Sequence, residues 1–158
     1  PQTPVEGSLE APLSVLVKLQ REGKIRHIGL SNVTAKQVEE GRAMTEIACV
    51  QNLYNLAHRQ DDALIDRLAA AGIAYVPFFP LGGFSPLSSP TLSDVARRLG
   101  ATPMQIALAW LLRRAPNILP IPGTSSVEHL RENLAAAELE LSDEMMRVLD
   151  GISSARRS

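Results

Sequence analysis

The chemistry in this sequence gathers where short apolar runs give way to small or polar residues. Ile118 to Ile121 ends at Pro122-Gly123-Thr124-Ser125, and Ser125 followed by Glu128 has the capping-box spacing of a helix start. Gly123, Thr124 and Ser125 would then present small side chains and free amides at the positive end of a helix, an arrangement that holds phosphate. Many such turns hold nothing, so a plain helix start is the alternative for this stretch alone. Ser31-Asn32, Gln51-Asn52 and Phe78-Phe79 end three other runs. Taken singly, Ser31-Asn32 would serve as a helix cap, Gln51 as a strand-end polar residue, and the phenylalanines as core. Other chemistries lack their patterns. His27, His58 and His129 show no metal-ligand spacing with Cys49, and no Gly-x-Ser-x-Gly elbow occurs.

The elements that would carry these residues alternate. Thr3-Pro4-Val5-Glu6 has the cap, proline and glutamate of a helix start, with Leu13, Leu16 and Val17 continuing a helical stripe to Gly23 and Pro12 kinking or delaying it. Strands are expected near 25–31, 48–54, 74–79 and 118–121, with Pro77 an awkward resident of the third. Helices should start at Thr34 with Gln37, at Asp61 or Asp62, at Thr91 or Ser93, at Thr102 with Gln105, and at Ser142. The helix after 118–121 should run to about Ala137. Residues 80–90 are too rich in Gly and Pro for regular structure. Repeated strand and helix units predict a parallel α/β layout, either part of a TIM-type barrel or a small open doubly wound sheet. In both, sites form at the C-terminal ends of the strands, where all the polar or aromatic run ends fall.

Composition sets the outer limits. The 158 residues are 45% hydrophobic and 21% charged, enough for one domain, and only 4% are aromatic, so aliphatic packing should dominate the core. A net charge of −1 gives no electrostatic case for nucleic acid or an anionic membrane. No run approaches the roughly 18 apolar residues of a membrane span. One cysteine, Cys49, excludes an internal disulfide and fits a cytoplasmic protein. A start at Pro-Gln-Thr-Pro without methionine reads as a processed or truncated product.

In order along the chain, Gly23-Lys-Ile-Arg-His-Ile-Gly-Leu-Ser-Asn32, Val50-Gln-Asn-Leu-Tyr-Asn-Leu56, Phe78-Phe-Pro-Leu-Gly82, Thr102-Pro-Met-Gln-Ile-Ala-Leu-Ala-Trp-Leu111 and Pro120-Ile-Pro-Gly-Thr-Ser125 with Glu132-Asn133 resemble the C-terminal half of an aldo-keto reductase, in particular bacterial members. The resemblance implies half of a (β/α)8 TIM barrel, with about four parallel strands in a single partial domain over 1–158. It also implies NADP(H), with NAD(H) open, and a small carbonyl substrate reduced usually without a metal. By resemblance, Ser31, Asn32 and Gln51 would hydrogen-bond the nicotinamide carboxamide, whose donor and acceptor edges suit them. Phe78 would stack on the ring. Leu81 and Gly82 would lie along the pyrophosphate, Gly123, Thr124 and Ser125 would hold the adenosine phosphate, and Glu132 and Asn133 would meet adenine.

Two departures accompany the resemblance. Gly123 and His129 stand where many members carry the Lys and Arg that grip the 2′-phosphate. The family's catalytic Asp, Tyr, Lys and His lie on strands before the helix with which this chain begins. Tyr75 starts a strand and faces the wrong end; Tyr54 is at the right end, but Lys18, Lys24 and Lys36 are badly placed to partner it. The chain alone should therefore have negligible reductase activity, and its open sheet edges should recruit a missing N-terminal half or a second copy. A non-catalytic nucleotide-binding or self-associating half-barrel, or a truncated product without a role of its own, are the alternatives.

Overall fold

Four apolar runs with polar or aromatic ends call for parallel strands, and the computed structural model, which describes residues 4–83 and 87–152, forms three. Strands β1 (Ile28–Ser31), β2 (Ile47–Gln51) and β3 (Ala74–Tyr75) lie side by side in chain order, all parallel. Ser31 lies opposite Gln51, and Val50 opposite Tyr75. Around them run α1 (Glu10–Arg21), α2 (Ala35–Met44), α3 (Asp62–Ala70), α4 (Pro90–Leu99), α5 (Pro103–Arg114), α6 (Val127–Ala135) and α7 (Asp143–Asp150), with a 3₁₀ turn at Ala136–Glu138 after α6. Among the described residues no helix is long and apolar enough to cross a membrane.

The expected fourth strand, 118–121, is reduced to a single parallel bridge between Tyr75 and Ile118. Pro77 explains the loss. Tyr75 donates its amide to Asn117 O and accepts from Leu119 N, at 2.8 and 2.9 Å. Two residues on, Pro77 has no N–H for the next rung on that side. On the β2 side the rungs fall instead to Val76 and Phe78, which donate to Val50 O and Asn52 O, so Pro77 is tolerated there. The same proline cuts β3 to two residues of the expected six.

Helix starts follow their caps where the signal is local. Thr34 with Gln37 and Thr102 with Gln105 both form complete capping boxes, each cap side chain contributing about 1 kcal/mol. Ser142 caps α7, and Asp61 precedes α3 without a side-chain cap bond. Helix α4 begins at Pro90, earlier than Thr91 or Ser93 suggests, and ends at left-handed Gly100. Helix α1 starts at Glu10, not near Pro4, and Thr3 lies outside the described residues. Residues before it are tied to α2 instead. Gln37 Nε2 donates to the carbonyls of Val5 and Gly7, and Glu40 accepts from Ser8 Oγ and Leu9 N. Pro12 falls in the first turn of α1, where its missing donor is harmless.

Aliphatic residues line the core, but its largest fully buried side chains are Trp110, Tyr54 and Tyr75. The low aromatic content concealed this, because the one tryptophan and both tyrosines sit in one cluster. Tyr54 stacks on Trp110 and meets Tyr75 edge to face, each at 5.8 Å between ring centres. The Arg59 guanidinium lies 4.9 Å over Trp110 and pairs with Asp62 and Asp150, both at 2.8 Å. Tyr54 donates to Asp62 Oδ1 at 2.6 Å, and Arg114 bonds Asp66 at 2.8 Å on the same flank. Burial alone would raise the Asp62 carboxyl, but hydrogen bonds from Arg59 and Tyr54 outweigh it and hold it below its ordinary value.

The sheet is covered on one face. Ile28 and Leu30 are buried against the helices, while Gly29 and Ser31 are exposed on the other side. Leu119 and Ile121 are also exposed, at 59% and 43%. Gly29 leaves room for its neighbour across the pair: a Cβ there would lie 2.8 Å from Cys49 Sγ. Gly29→Ala should therefore destabilise the chain by about 1–3 kcal/mol, and adding Cys49→Ala should restore most of the loss. Urea unfolding of the single and double variants tests this; an unshifted midpoint for Gly29→Ala would refute the close approach. A carboxyl held low stabilises the fold above its unfolded pKa and loses that contribution as pH falls through the folded value. Asp62 should thus contribute fully well above pH 3.8, its ordinary value, and progressively less below it. Asp62→Asn should lower the urea midpoint at pH 7 and flatten the acid limb of a stability–pH curve; parallel curves for the two proteins would exclude Asp62 as the source.

Candidate functional site

The strand ends form a row. β1 closes at Ser31, and Asn32 turns the chain in a left-handed conformation (φ 56°) while its amide donates to Gln51 O at 2.8 Å. Asparagine is among the few residues that accept this region at modest cost. Ser31 is exposed and Gln51, its partner across the sheet, half-buried. Next in the row, Phe78 bridges to Leu53 and donates its amide to Asn52 O at 3.0 Å. Three hydrogen-bonding residues and one aromatic ring singled out from the sequence are thus brought to adjacent strand ends.

Phe79, directly after, is also left-handed at φ 53°, costing a phenylalanine about 1–2 kcal/mol. Asn55 Nδ2 donates to its carbonyl at 2.9 Å, and the ring packs over Gly83, where a Cβ would approach it to 2.7 Å. One hydrogen bond contributes about 0.5–1.5 kcal/mol, so the bond and the ring contact together offset the strain. The rings of Phe78 and Phe79 meet edge to face at 5.5 Å.

A cleft of about 390 Å³ runs from this row towards α6, walled by Phe78, Phe79, Pro80, Leu81 and Gly83 on one side and Ile121, Pro122 and Gly123 on the other. Leu81 and Gly123 are therefore joined to Phe78 by one cavity. Gly82, left-handed at φ 95°, donates to Phe79 O at 3.0 Å and shapes the turn. Residues 84–86 of the same loop lie outside the described residues. Gly123 has open space where a side chain would stand.

The helix start beyond the cleft differs from its expected form. Ser126, not Ser125, caps α6, accepting from His129 N at 3.3 Å, so Glu128 falls one position short of a capping box. The reason is the turn before it: Thr124 Oγ1 accepts from Ser126 N at 3.0 Å, which sets the entry one residue later than the spacing suggests. Thr124, Ser125 and His129 are exposed, and Glu132 and Asn133 half-buried on the following turns. Gln105 Nε2 donates to Glu132 O at 3.1 Å, so the capping box of α5 also fixes α6.

Two residues that shape the row, Asn52 at the end of its run and Asn55 beyond it, carry no site signal of their own in the sequence. Asn52 (3% exposed) and Asn55 (0%) are buried and fully engaged, Asn52 with both the amide and carbonyl of Val33. The hint was in the Gln51-Asn52-Leu53-Tyr54-Asn55 run, but nothing local distinguishes a buried asparagine from a loop one. Neither tyrosine is placed for proton transfer. Tyr54 donates to Asp62 and Tyr75 to Asp61, at 2.6 and 2.9 Å, and burial pushes both phenols above their ordinary range.

The family pattern of the aldo/keto reductases matches residues 1–154. Pyridoxine 4-dehydrogenase of Escherichia coli strain K12 is 69% identical over 150 residues, which cover 95% of this chain and 52% of that protein. An uncharacterised oxidoreductase of Schizosaccharomyces pombe is 41% identical over 138 residues, 87% of this chain and 45% of its own length. Among solved structures, a thermostable aldo-keto reductase in complex with epalrestat superimposes with a TM-score of 0.83 at 39% identity, covering 91% of this chain and 54% of that one. An aldo/keto reductase from Klebsiella pneumoniae in complex with NADP and acetate gives 0.79 at 30%, covering 92% and 54%. The chain spans about half the length of these relatives. Its parallel sheet, flanking helices and strand-end row are an α/β portion of a TIM barrel, and the chain belongs to the aldo/keto reductase family.

Proposed function

We propose that these 158 residues supply the cofactor-holding half of an NADP(H)-dependent oxidoreductase that interconverts a small carbonyl compound and its alcohol. The observation that carries this reading is the row of Ser31, Asn32, Gln51 and Phe78, neighbours across the parallel sheet, whose Phe78 end lines the cleft that reaches Gly123. Hydroxyl and amide side chains beside an aromatic ring suit a flat carboxamide-bearing ring. Ser31, Asn32 and Gln51 would orient the nicotinamide amide, fixing which ring face meets the substrate, and Phe78 would stack against it. Leu81 and Gly82 would flank the pyrophosphate. Gly123 offers backbone without a side chain, and with Thr124 and Ser125 would receive the adenosine phosphate; Glu132 and Asn133 would border the adenine. The complexes of the relatives with NADP favour NADP(H), whereas Gly123 and His129, without a fixed cation for a 2′-phosphate, leave NAD(H) accommodated as well. When bound, the nicotinamide supplies or takes up a hydride.

The substrate class follows from the Escherichia coli relative. A dehydrogenase acting at position 4 of pyridoxine converts an alcohol to an aldehyde, losing a hydride to the cofactor and a proton to a protein group. Tyr54 and Tyr75 are committed to buried carboxylates, so the proton-transfer group is assigned to a complementary half, consistent with the doubled length of the relatives. That half would cover the bare sheet face and pair with β1, which has a neighbour on one side only among the described residues. One domain split across two halves, in a cytoplasmic setting that suits a free cysteine, is the same proposal seen from the fold.

Titrating NADPH into the chain should give saturable quenching of protein fluorescence, and Phe78→Ala should weaken the affinity about tenfold, as loss of one aromatic contact does. An absence of saturation at high micromolar NADPH would sink the cofactor reading. Alone, the chain should give no pyridoxal-dependent loss of NADPH absorbance; mixed with an N-terminal half of an aldo-keto reductase barrel it should. A flat trace from a folded mixture would overturn the assignment of this half to a reductase.

A further inference from the structure

Among the described residues, two other than glycine take left-handed backbone angles, Asn32 and Phe79. Each directly follows a member of the proposed nicotinamide row, Ser31 and Phe78. Each is also buttressed by a buried asparagine from one short segment, 52–55. Asn52 meets the backbone of Val33, one residue past Asn32, in both directions: Oδ1 accepts from Val33 N at 2.9 Å and Nδ2 donates to Val33 O at 2.8 Å. A side chain here continues the hydrogen-bonding of the β1–β2 pair beyond the point where the backbone turns away. Asp61 Oδ2 accepts from the same Nδ2 at 2.7 Å and from the Tyr75 hydroxyl, which fixes the amide's orientation. Asn55 donates from Nδ2 to Phe79 O at 2.9 Å, while its Oδ1 accepts from the amides of Ala57 and His58 at 2.9 and 3.1 Å.

We propose that Asn52 and Asn55 are positioning residues of the cofactor site, which set the nicotinamide-binding groups at the end of β1 and on the segment after β3 at a fixed separation. This rests on the reading of the row as the nicotinamide end. A buried carboxamide is costly unless its donors and acceptor are all engaged, and here the partners are the two left-handed turns that aim the row. Because both asparagines ride on one segment, the amide-orienting side and the ring-stacking side are located by a common frame.

Two ligands separate positioning from general stability. NADPH reaches both ends of the site, whereas adenosine 2′,5′-bisphosphate reaches only the adenosine end. Asn55→Asp keeps the acceptor for Ala57 and His58 and removes the donor to Phe79; Asn52→Ser removes the clamp on Val33. In chains that keep the parent's circular dichroism spectrum, each change should raise the NADPH Kd about tenfold, the effect of one lost buried hydrogen bond, and leave the bisphosphate Kd unchanged. Should Asn55→Asp not keep that spectrum, Asn55→Ser, smaller and uncharged, carries the same test. A parent that binds both ligands with variants that weaken both alike, or neither, overturns the positioning role alone. A parent chain that binds neither ligand overturns the proposed function, and this inference with it.

Discussion

The Arg59 guanidinium is the interaction on which the rest of the structure depends. Its side chain is 12% exposed, bonded to Asp62 at the start of α3 and to Asp150 at the end of α7, and laid over Trp110 in the middle of α5. Trp110 donates its indole N–H to the same Asp150 oxygen at 3.0 Å. Burial works against the Arg59 charge, but the hydrogen bond and field of Asp62, with Asp150, more than restore it. A charge this buried is stable only while its partners stay in place. Three helices distant in sequence are therefore held in one arrangement, and the segment running back from Arg59 to Asn52 is anchored at one end. Its other end reaches the strand-end row, so the same interaction that closes the core also fixes the frame beneath the candidate site.

Features set by near neighbours in the chain were legible in the sequence. The capping boxes at Thr34 and Thr102 and the cap at Ser142 depend on residues three apart, and each formed as its spacing indicated. The order of the run ends was legible too, and Ser31, Asn32, Gln51 and Phe78 are neighbours in space, although β2 stops at Gln51 rather than Tyr54 and β3 at Tyr75 rather than Phe79. Strand length was not. Whether Pro77 breaks a ladder depends on which neighbour its nitrogen faces, and only the assembled sheet decides that. Ser125 and Ser126 satisfy the cap preference equally well, and the choice falls to the Thr124 hydroxyl one step before. The roles of Asn52 and Asn55 were illegible for a related reason: the bonds that tie them to Val33 and Phe79 span 19 and 24 residues, so the run that holds them resembles an ordinary polar loop.

The uncovered sheet face joins folding to function. Parallel sheets are normally buried on both sides, and here one side carries Gly29 and Ser31 in the open beside exposed Leu119 and Ile121. Helix α6 has no buried residue, and Val127, Leu130 and Leu134 stand exposed along it. Apolar area of this kind is stable only when something covers it. Ser31, with Gln51 opposite it, stands on the same face, so a body that closed the sheet would also wall this part of the candidate site. In that case completing the fold and completing the proposed pocket would be one event.

Phe79 accepts backbone strain that closing the loop does not require. A glycine at a left-handed position would carry no steric penalty, and the neighbouring turn already uses Gly82 and Gly83 in that way. Phenylalanine there accepts the strain, occupies Asn55 with its carbonyl, and obliges position 83 to stay without a side chain. Loop closure needs none of this. What the ring does provide is a wall of the cleft and an edge-to-face contact that fixes the plane of Phe78. If Phe78 stacks on a cofactor ring as proposed, a platform free to tilt would give that ring little orientation. The strained residue is thus best understood as the support of its neighbour, with Asn55 and Gly83 as the conditions under which that support can exist.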